Sequence, residues 1–395
     1  MSKLDELIQK LCPNGVEHRK IEDFIDYVQP TKYIVSDTKY DDSYDTPVLT
    51  AGQSFILGYT NETNGIYIAS KDKPVIIFDD FTAGFHWVDF SFKVKSSAMK
   101  MLVPKGNINF RFFYHLMGMI NYKSTEHTRL WIGTYSQLKI PVPPREVQDE
   151  IVRILDNFTE LTAELTAELT ARKQQYEYYR DSLFAFDTDE EVVKVRDVVL
   201  SLSTGLNPRK NFKLNEEGAD CLYVTGKEIY NNRINISIRT DKITKSAVNL
   251  INRRAKLQDN VLLFASTGCS TVGRMAIIEH YDGTWNVSET MYCIQTKENT
   301  NLKFLMYFLY SSIAKNQYEP LISKGTVPHL KVSDLLNLNI TLPTLEEQQR
   351  IVDILDKFDI YCNDLTQGLP AEIELRKQQY EYYRDKLLNF KEITE

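Results

Sequence analysis

Cysteine is scarce: Cys12, Cys221, Cys269, Cys293 and Cys362 are the five in 395 residues, and none stands in a CxxC pair. This excludes a cysteine-built zinc cluster and the disulfide framework of a small secreted domain, and it fits a reducing compartment. The six histidines are equally dispersed, so no metal-ligand set is spelled out. No run approaches the roughly 18–20 apolar residues that span a membrane. The opening segment MSKLDELIQKLCPNG lacks the apolar core of a signal peptide. A cytoplasmic protein with no membrane partner is expected.

The signatures of common catalysts are also missing. Without GxxxxGK[ST] there is no phosphate loop, so ATP hydrolysis by this chain is not expected. Without GxGxxG after a strand, no dinucleotide fold is signalled. GxSxG is absent, as are an NPPY- or DPPY-like tetrapeptide and the Pro-Asp dipeptide that opens a PD-(D/E)xK nuclease. Acidic pairs such as Asp41-Asp42 and Asp79-Asp80 read as turns or surface charge rather than metal carboxylates. Taken together, these absences favour a binding protein over an enzyme.

What is present is a duplication. RKQQYEYYRD occupies 172–181 and again 376–385, and upstream QDEIVRILDNF (148–158) answers QQRIVDILDKF (348–358). The copies lie 200 residues apart at the upstream match and 204 apart downstream. A duplicated unit implies that what the protein reads or holds also comes in two halves. The length allows two to three domains, and 43% apolar with 26% charged residues is ordinary for a globular chain.

Each copy reads as a mixed α/β body followed by a long helix. PVIIFDDF (74–81) and NVLLFAST (260–267) are short apolar runs of the kind that form buried strands. FRFFYHLMGMINY (110–122) and LKFLMYFLYSSI (302–313) read as matching apolar helices, and RKIEDFI (19–25) resembles VKVRDVV (193–199). Between these anchors the bodies diverge, whereas the helices hardly do. Each body leaves through a proline-marked exit, IPVPP (140–144) or ITLPT (340–344), after which a helix can start.

The first long helix is expected over 145–186, about 63 Å if continuous. Ile151, Leu155, Phe158, Thr162, Leu165, Leu169, Tyr176, Tyr179, Leu183 and Phe186 form a seam of period 3.5, the mark of coiled-coil packing. Ile351, Leu355, Phe358, Cys362, Leu365, Tyr380, Tyr383, Leu387 and Phe390 repeat it. Each seam's most economical partner is the other, antiparallel. Gly368-Leu369-Pro370 reads as a C-cap followed by a fresh helix start. The tetrads TAELTAEL (162–169) keep one helical face, and each adds about 6 Å of helix.

Charge is unevenly spread. The net charge is −7, yet 145–186 carries −4 and 344–395 carries −5, which leaves +2 for the rest. Residues 209–256 hold eleven basic and five acidic side chains, a local +6. A solvated basic face and a nucleic-acid surface both fit that stretch.

The exits PVPPREVQDEIVRILDNF (141–158) and LPTLEEQQRIVDILDKF (342–358), the twin RKQQYEYYRD segments and the TAEL repeats have a family counterpart. Over essentially its whole length the chain resembles the specificity subunits of type I restriction-modification systems. The repeats look most like the subfamily in which their number tunes the gap in the DNA target. The resemblance implies an α+β fold: two mixed α/β target-recognition domains, 1–143 and 187–343, separated by two long antiparallel coiled-coil helical regions, 144–186 and 344–395, in a pseudo-two-fold repeat. It implies a non-catalytic subunit whose domains each bind half of a bipartite site in double-stranded DNA. The helices would dock two methyltransferase subunits, and two ATP-dependent motor-nuclease subunits would complete a restriction enzyme. No cofactor is expected on this chain; S-adenosylmethionine, ATP and Mg belong to the partners.

Base readout needs hydrogen-bonding side chains, and affinity needs cations at phosphates. In the second body ASTGCSTVGR (265–274) offers Ser266, Thr267, Thr271 and Arg274, and SKGTVPHLK (323–331) offers Lys324, Thr326, His329 and Lys331. The equivalent segments of the first body offer Thr82, His86, His127, Thr128 and Arg129. Trp87 and Trp131 read as packing groups. Arg172, Lys173, Arg376 and Lys377, on the exposed faces of the duplicated helices, are the candidates for docking two identical partners. Two other readings stay open on residues alone: a scaffold joining two protein- or glycan-binding domains, and a nuclease with an unfamiliar site.

Overall fold

The computed structural model describes residues 2–52, 54–120, 122, 128–186, 191–364 and 366–393. The chain divides into two compact units, Met1–Glu164 with Glu374–Glu395, and Leu165–Ile373.

In the first unit the apolar run at 74–81 becomes the strand Val75–Asp79, whose first four residues are fully buried. A strand apolar on both faces must be covered on both. Its neighbours are Met99–Pro104 on one side and Phe85–Val88 on the other, with Ile25–Val28 beyond Met99–Pro104, all antiparallel. Alternation sends Ile76 and Phe78 into a core shared with the helix Phe110–Ile120. Val75 and Ile77 enter a second core with Leu49 and Val94. Those two residues belong to a three-stranded sheet ordered Ile56–Thr60, Thr46–Leu49, Lys93–Val94. A short clasp, His18–Lys20 against Lys139–Pro141, joins the start of the body to its end.

The second unit repeats this topology strand for strand. Its four-stranded sheet runs Val199–Thr204, Met291–Thr296, Val261–Ala265, Met275–Ile278. Its three-stranded sheet runs Lys242–Ile243, Cys221–Val224, Trp285–Val287. The clasp is Val192–Lys194 against Asn339–Thr341. Leu262 and Phe264 face one core, and Val261, Leu263 and Ala265 the other. The helix expected over 302–313 is split: Leu302–Tyr310 ends where Ser311 turns extended and caps Ser312–Tyr318 by accepting the Ala314 N–H. A serine hydroxyl competes well as a cap, which is why the apolar pattern did not carry through it.

Each body is fastened to a long helix by polar contacts at equivalent positions. Gln148, in the first turn of Arg145–Leu183, is buried; it accepts the Asn109 N–H at 2.8 Å and donates to Pro143 O at 2.8 Å. Gln348, in Leu345–Asn363, does the same for Asn301 and Pro343, at 2.8 Å each. Two turns on, Asp156 takes Arg111 at 2.8 Å and His115 at 2.9 Å. Asp356 takes Lys303 at 2.7 Å and the Tyr307 hydroxyl at 2.6 Å. Burial pushes the Asp156 carboxyl upward, but the hydrogen bonds from His115 and Arg111 outweigh it and hold it below its ordinary value. Burial depresses His115, against the pull of Asp156. A neutral ring then donates Nε2–H to Asp156 and accepts the Tyr380 hydroxyl on Nδ1 at 2.9 Å.

The helical seams are packed where bodies stand on them. Ile151, Leu155, Ile351, Leu355 and Cys362 are fully buried. Phe158 stacks on Tyr383 at 5.3 Å in the first unit, and Phe358 lies 6.1 Å from Tyr176 and 5.6 Å from Tyr179 in the second. Tyr361 OH donates to Glu168 at 3.3 Å, so within the second unit the two helices run antiparallel. Around the tetrads cover thins: Thr162, Leu165 and Leu169 are half-buried and Leu161 is 44% exposed. The first helix stops at Leu183, three residues short of expectation.

The interruption of the C-terminal helices is built differently from the expected glycine C-cap. Leu345–Asn363 ends at Asp364, whose carboxylate accepts the Thr366 N–H at 2.7 Å and hydroxyl at 2.6 Å. Those bonds hold Asp364 at about 2. Gly368 instead opens Leu369–Leu388, its carbonyl accepting the Ala371 and Glu372 N–H groups. A Cβ there would lie 2.5 Å from Ile360 O, so the close approach requires glycine. Leu365 lies outside the described residues. The second body also sends a hairpin to this point. Ile229–Tyr230 and Arg233–Ile234 are joined by Asn231 and Asn232, both at positive φ, the geometry of a type I′ turn. Asn232 donates to Asp359 at 2.7 Å and Arg233 to Asp364 at 2.8 Å.

Gln148→Ala or Gln348→Ala leaves a buried N–H and C=O without their partner, so each should lower stability in urea unfolding by about 1–3 kcal/mol. Gln174→Ala, on an exposed turn, should change it by less than about 0.5 kcal/mol. His115 predicts a pH effect. Its folded pKa is depressed, so the unfolded chain binds the proton first as pH falls through about 6.5, and stability drops. The urea midpoint should fall between about pH 7 and pH 5, and His115→Gln should remove that component.

Candidate nucleic-acid interface

In the second body the strand Val261–Ala265 runs into segment 266–274, and segment 323–331 folds against it. Leu330 N–H donates to Ser266 O at 2.9 Å and Gly268 N–H to Pro328 O at 2.9 Å, while Thr267 and His329 form an antiparallel bridge. Their side chains meet as well, Thr267 Oγ1 lying 2.8 Å from His329 Nδ1. Two loops that the sequence offered separately are therefore one surface. Thr271 Oγ1 donates back to Thr267 O at 2.8 Å, which closes the first loop on itself. Gly268 makes this possible: its φ is +120°, and a Cβ would come within 2.3 Å of Thr271 Oγ1.

The candidates of this surface differ in reach. Lys324, Thr326 and Lys331 are exposed; Thr267, Thr271 and His329 are half-buried. Arg274 is half-buried and donates to Ile229 O at 3.2 Å. Ser266 is a correction: it is fully buried, its hydroxyl donating to Thr290 O at 2.9 Å, so it forms the floor of the loop and touches no solvent. An open cleft of about 590 Å³ gathers Thr267, Gly268, Ser270 and Thr271 with Arg209, Lys227 and Arg239. Those three cations were not singled out from sequence; their signal was the basic run 209–256, which contains them all. Glu289, also in the lining, is held by Asn207 at 2.7 Å and Tyr223 at 3.1 Å.

The first body builds the same joint from other residues. Leu130 N–H donates to Asp80 O at 2.8 Å, the counterpart of Leu330 to Ser266. Asp79 caps the turn after the central strand by accepting the Phe81 and Thr82 N–H groups at 2.8 and 2.9 Å, which leaves Thr82 exposed. Asp80 corrects the reading of this pair as turn or surface charge: it is 1% exposed. Its Oδ1 accepts the Trp131 N–H at 2.9 Å, and its Oδ2 lies 3.3 Å from Arg129 and 3.6 Å from Lys100. Thr128 and Arg129 are exposed, and His127 lies outside the described residues. His86 is committed to packing, with Nε2 2.9 Å from Gly52 O and its ring stacked on Phe55 at 4.6 Å. Trp131 is buried against Phe78, and Trp87 packs on Phe110 and Tyr114.

On the helices Arg172 pairs with Gln175 at 2.9 Å and Glu168 at 3.5 Å, and Lys173 and Lys377 are exposed. Arg376 is half-buried and donates to Gln379 at 3.2 Å. Among the described residues no group of three or more His, Cys, Asp or Glu is placed to hold a metal ion, and no helix is long and apolar enough to cross a membrane.

A body built twice on one topology, each time presenting a pinned pair of polar loops, defines a recognition protein with two reading heads. The family described as the type I restriction modification DNA specificity domain matches residues 13–172 and 188–375, and the chain belongs to it. It is a specificity subunit, not a catalytic one. It is 40% identical over 407 residues to the EcoR124I/EcoR124II type I restriction enzyme specificity subunit of Escherichia coli, covering 99% of this chain and 98% of that one. Two solved structures share the fold. One is a type I restriction-modification S subunit from M. genitalium, with 13% identity, a TM-score of 0.56, and coverage of 94% of this chain and 96% of that one. The other is a chain from a study of assembly and conformational transition in a type I system, with 15% identity, a TM-score of 0.57, and coverage of 96% and 98%.

Gly268→Ala strains a left-handed backbone and pushes on Thr271 without touching the core. It should weaken duplex DNA binding by the second body at least several-fold in a titration, with the urea midpoint of the first unit unchanged.

Proposed function

We propose that this chain selects a bipartite sequence in double-stranded DNA, the body within 1–143 reading one half-site and the body within 187–343 the other. The observation that carries this reading is the loop joint made twice, Leu130 to Asp80 and Leu330 to Ser266, with different side chains mounted on it. One backbone frame with two sets of polar groups suits two unlike half-sites. Thr82, Thr128 and Arg129 supply contacts in the first, and Thr267, Thr271, Arg274, Lys324, Thr326, His329 and Lys331 in the second. Lysines give phosphate affinity, while hydroxyls, His and Arg give base readout. Arg209, Lys227 and Arg239 supply further donors beside the second set, in a cleft whose charge Glu228, Asp241 and Glu289 balance.

The helices 144–186 and 344–395 form the spacer and hold the partners. Arg172 and Lys173 on one copy, and Arg376 and Lys377 on the other, dock two methyltransferase subunits, an arrangement suggested by the identity of the two surfaces. S-adenosylmethionine serves those subunits. ATP and Mg serve two motor-nuclease subunits where the complex also cuts. The chain itself binds no cofactor, and the assembly works in the cytoplasm.

The TAEL tetrads act as a ruler. One tetrad adds about 6 Å of helix, between one and two base-pair rises of ~3.4 Å. Deleting 166–169 should shorten the unspecified gap by about one base pair, tilt and DNA bending absorbing the remainder, with both half-sites unchanged. Methylome sequencing of cells carrying the chain and its methyltransferase reads this directly. An unaltered gap defeats the ruler, and no bipartite methylation at all defeats the function.

A further inference from the structure

We infer that Arg129 reads a guanine in the half-site of the first body, and that the buried Asp80 is its positioning residue. This rests on the DNA-reading function proposed above and names the base it selects.

The argument begins with charge. Asp80 is 1% exposed, and a buried carboxylate needs a cation and hydrogen bonds. Lys100 already supplies the cation from inside: it is 2% exposed, 3.6 Å from Asp80 Oδ2, and steadied by Gln29 Oε1 at 3.3 Å and the Tyr27 ring at 5.0 Å. The Trp131 N–H supplies the bond to Oδ1 at 2.9 Å. Arg129 is thus a second cation on a carboxylate that has one, and the cluster carries a surplus positive charge. That surplus sits on a side chain 55% exposed.

Geometry comes next. Arg129 Nη1 is 3.3 Å from Asp80 Oδ2, and the guanidinium carbon lies 5.8 Å from the centre of the Phe81 ring. One part of the fork is held by the acid and one face lies over an aromatic ring. The two contacts restrict the directions open to the fork. An arginine fork fits a phosphate bidentately as well as a base edge, so the acid that aims this one, and not its charge, argues for a base. A directed planar fork suits two acceptors set side by side, as O6 and N7 of guanine are in the major groove.

The second body marks the contrast. There the residue at the joint is Ser266, and the side chains that meet above it are Thr267 and His329, which carry no such cation. The duplicated frame therefore holds an acid-anchored arginine in one head and a hydroxyl–imidazole pair in the other. The acid-anchored arginine belongs to the first head only.

The test uses the full chain with its methyltransferase partners. Methylome sequencing first fixes both half-sites. Binding is then measured on duplexes substituted one pair at a time, for the wild type and for Arg129→Lys, Arg129→Gln and Asp80→Asn. Loss of a bidentate pair should cut discrimination at a single G·C pair roughly 5- to 150-fold, with every other position and the other half-site unchanged. Arg129→Lys should keep most affinity and lose the preference. Asp80→Asn should relax the same position, and if it fails to fold, the two exposed Arg129 variants carry the test. Uniform weakening across all sequences with preferences intact overturns the proposal in favour of a phosphate contact, as does a first half-site lacking a G·C pair. A wild-type chain that directs no bipartite methylation overturns the function beneath it, a result readily told apart from one relaxed base.

Discussion

Everything the two bodies can do depends on how each is held by the helix that follows it. That hold is polar and buried: a glutamine inside the first helical turn and a carboxylate two turns later. Gln148 and Gln348 each satisfy a backbone N–H and a backbone C=O that would otherwise be stranded. Apolar packing alone would let a body slide or rotate on a smooth seam. Hydrogen bonds inside a low-dielectric joint fix one geometry, because any other leaves a buried group without a partner. The two joints are chemically alike without being identical. Asp156 is met by Arg111 and a neutral His115, Asp356 by Lys303 and the Tyr307 hydroxyl.

With the base of each body fixed, its loops can differ. The central strand is enclosed on both faces, and alternate side chains enter separate cores in both units. The loop leaving that strand is tied to a second loop by a backbone bond that both bodies share, Leu130 to Asp80 or Leu330 to Ser266. A backbone bond is indifferent to the side chains it carries. One frame can therefore mount a buried acid and an arginine in one place and a threonine–histidine pair in the other. A specificity subunit needs that separation of support from readout.

Much of this was legible in the sequence, for identifiable reasons. Identical ten-residue strings needed no structural inference, and the apolar runs at 74–81 and 260–267, rich in β-branched and aromatic residues, read as buried strands, which form at 75–79 and 261–265. The long helix declared itself through its seam and its proline exit. What escaped were features set by single polar side chains. Ser311 splits an apolar helix, and Asp364 ends a helix four residues before the glycine that looked like its cap. At the interface the sequence located both loops of each head but not their pairing. It could not separate Ser266, which is buried, from Thr267, which is not, because adjacent residues in such a loop have the same local pattern. Asp80 looked like a surface acid for the same reason. The basic run 209–256 was visible as charge, but which of its members reach the cleft depends on long-range pairing.

The hairpin 229–234 ties the second body to its helix. Asn232 grips Asp359 and Arg233 grips Asp364, and both acids lie outside the body, on the support. Burial already raises the Asp359 carboxyl, with Asn363 and Asn232 opposing it. A recombinant that grafts a different reading head onto this helix leaves both acids without those donors, one of them in an enclosed setting. A head moved elsewhere arrives with an arginine and an asparagine seeking carboxylates. A graft that keeps these contacts therefore cuts beyond the proline exit and carries 229–234 together with 359–364.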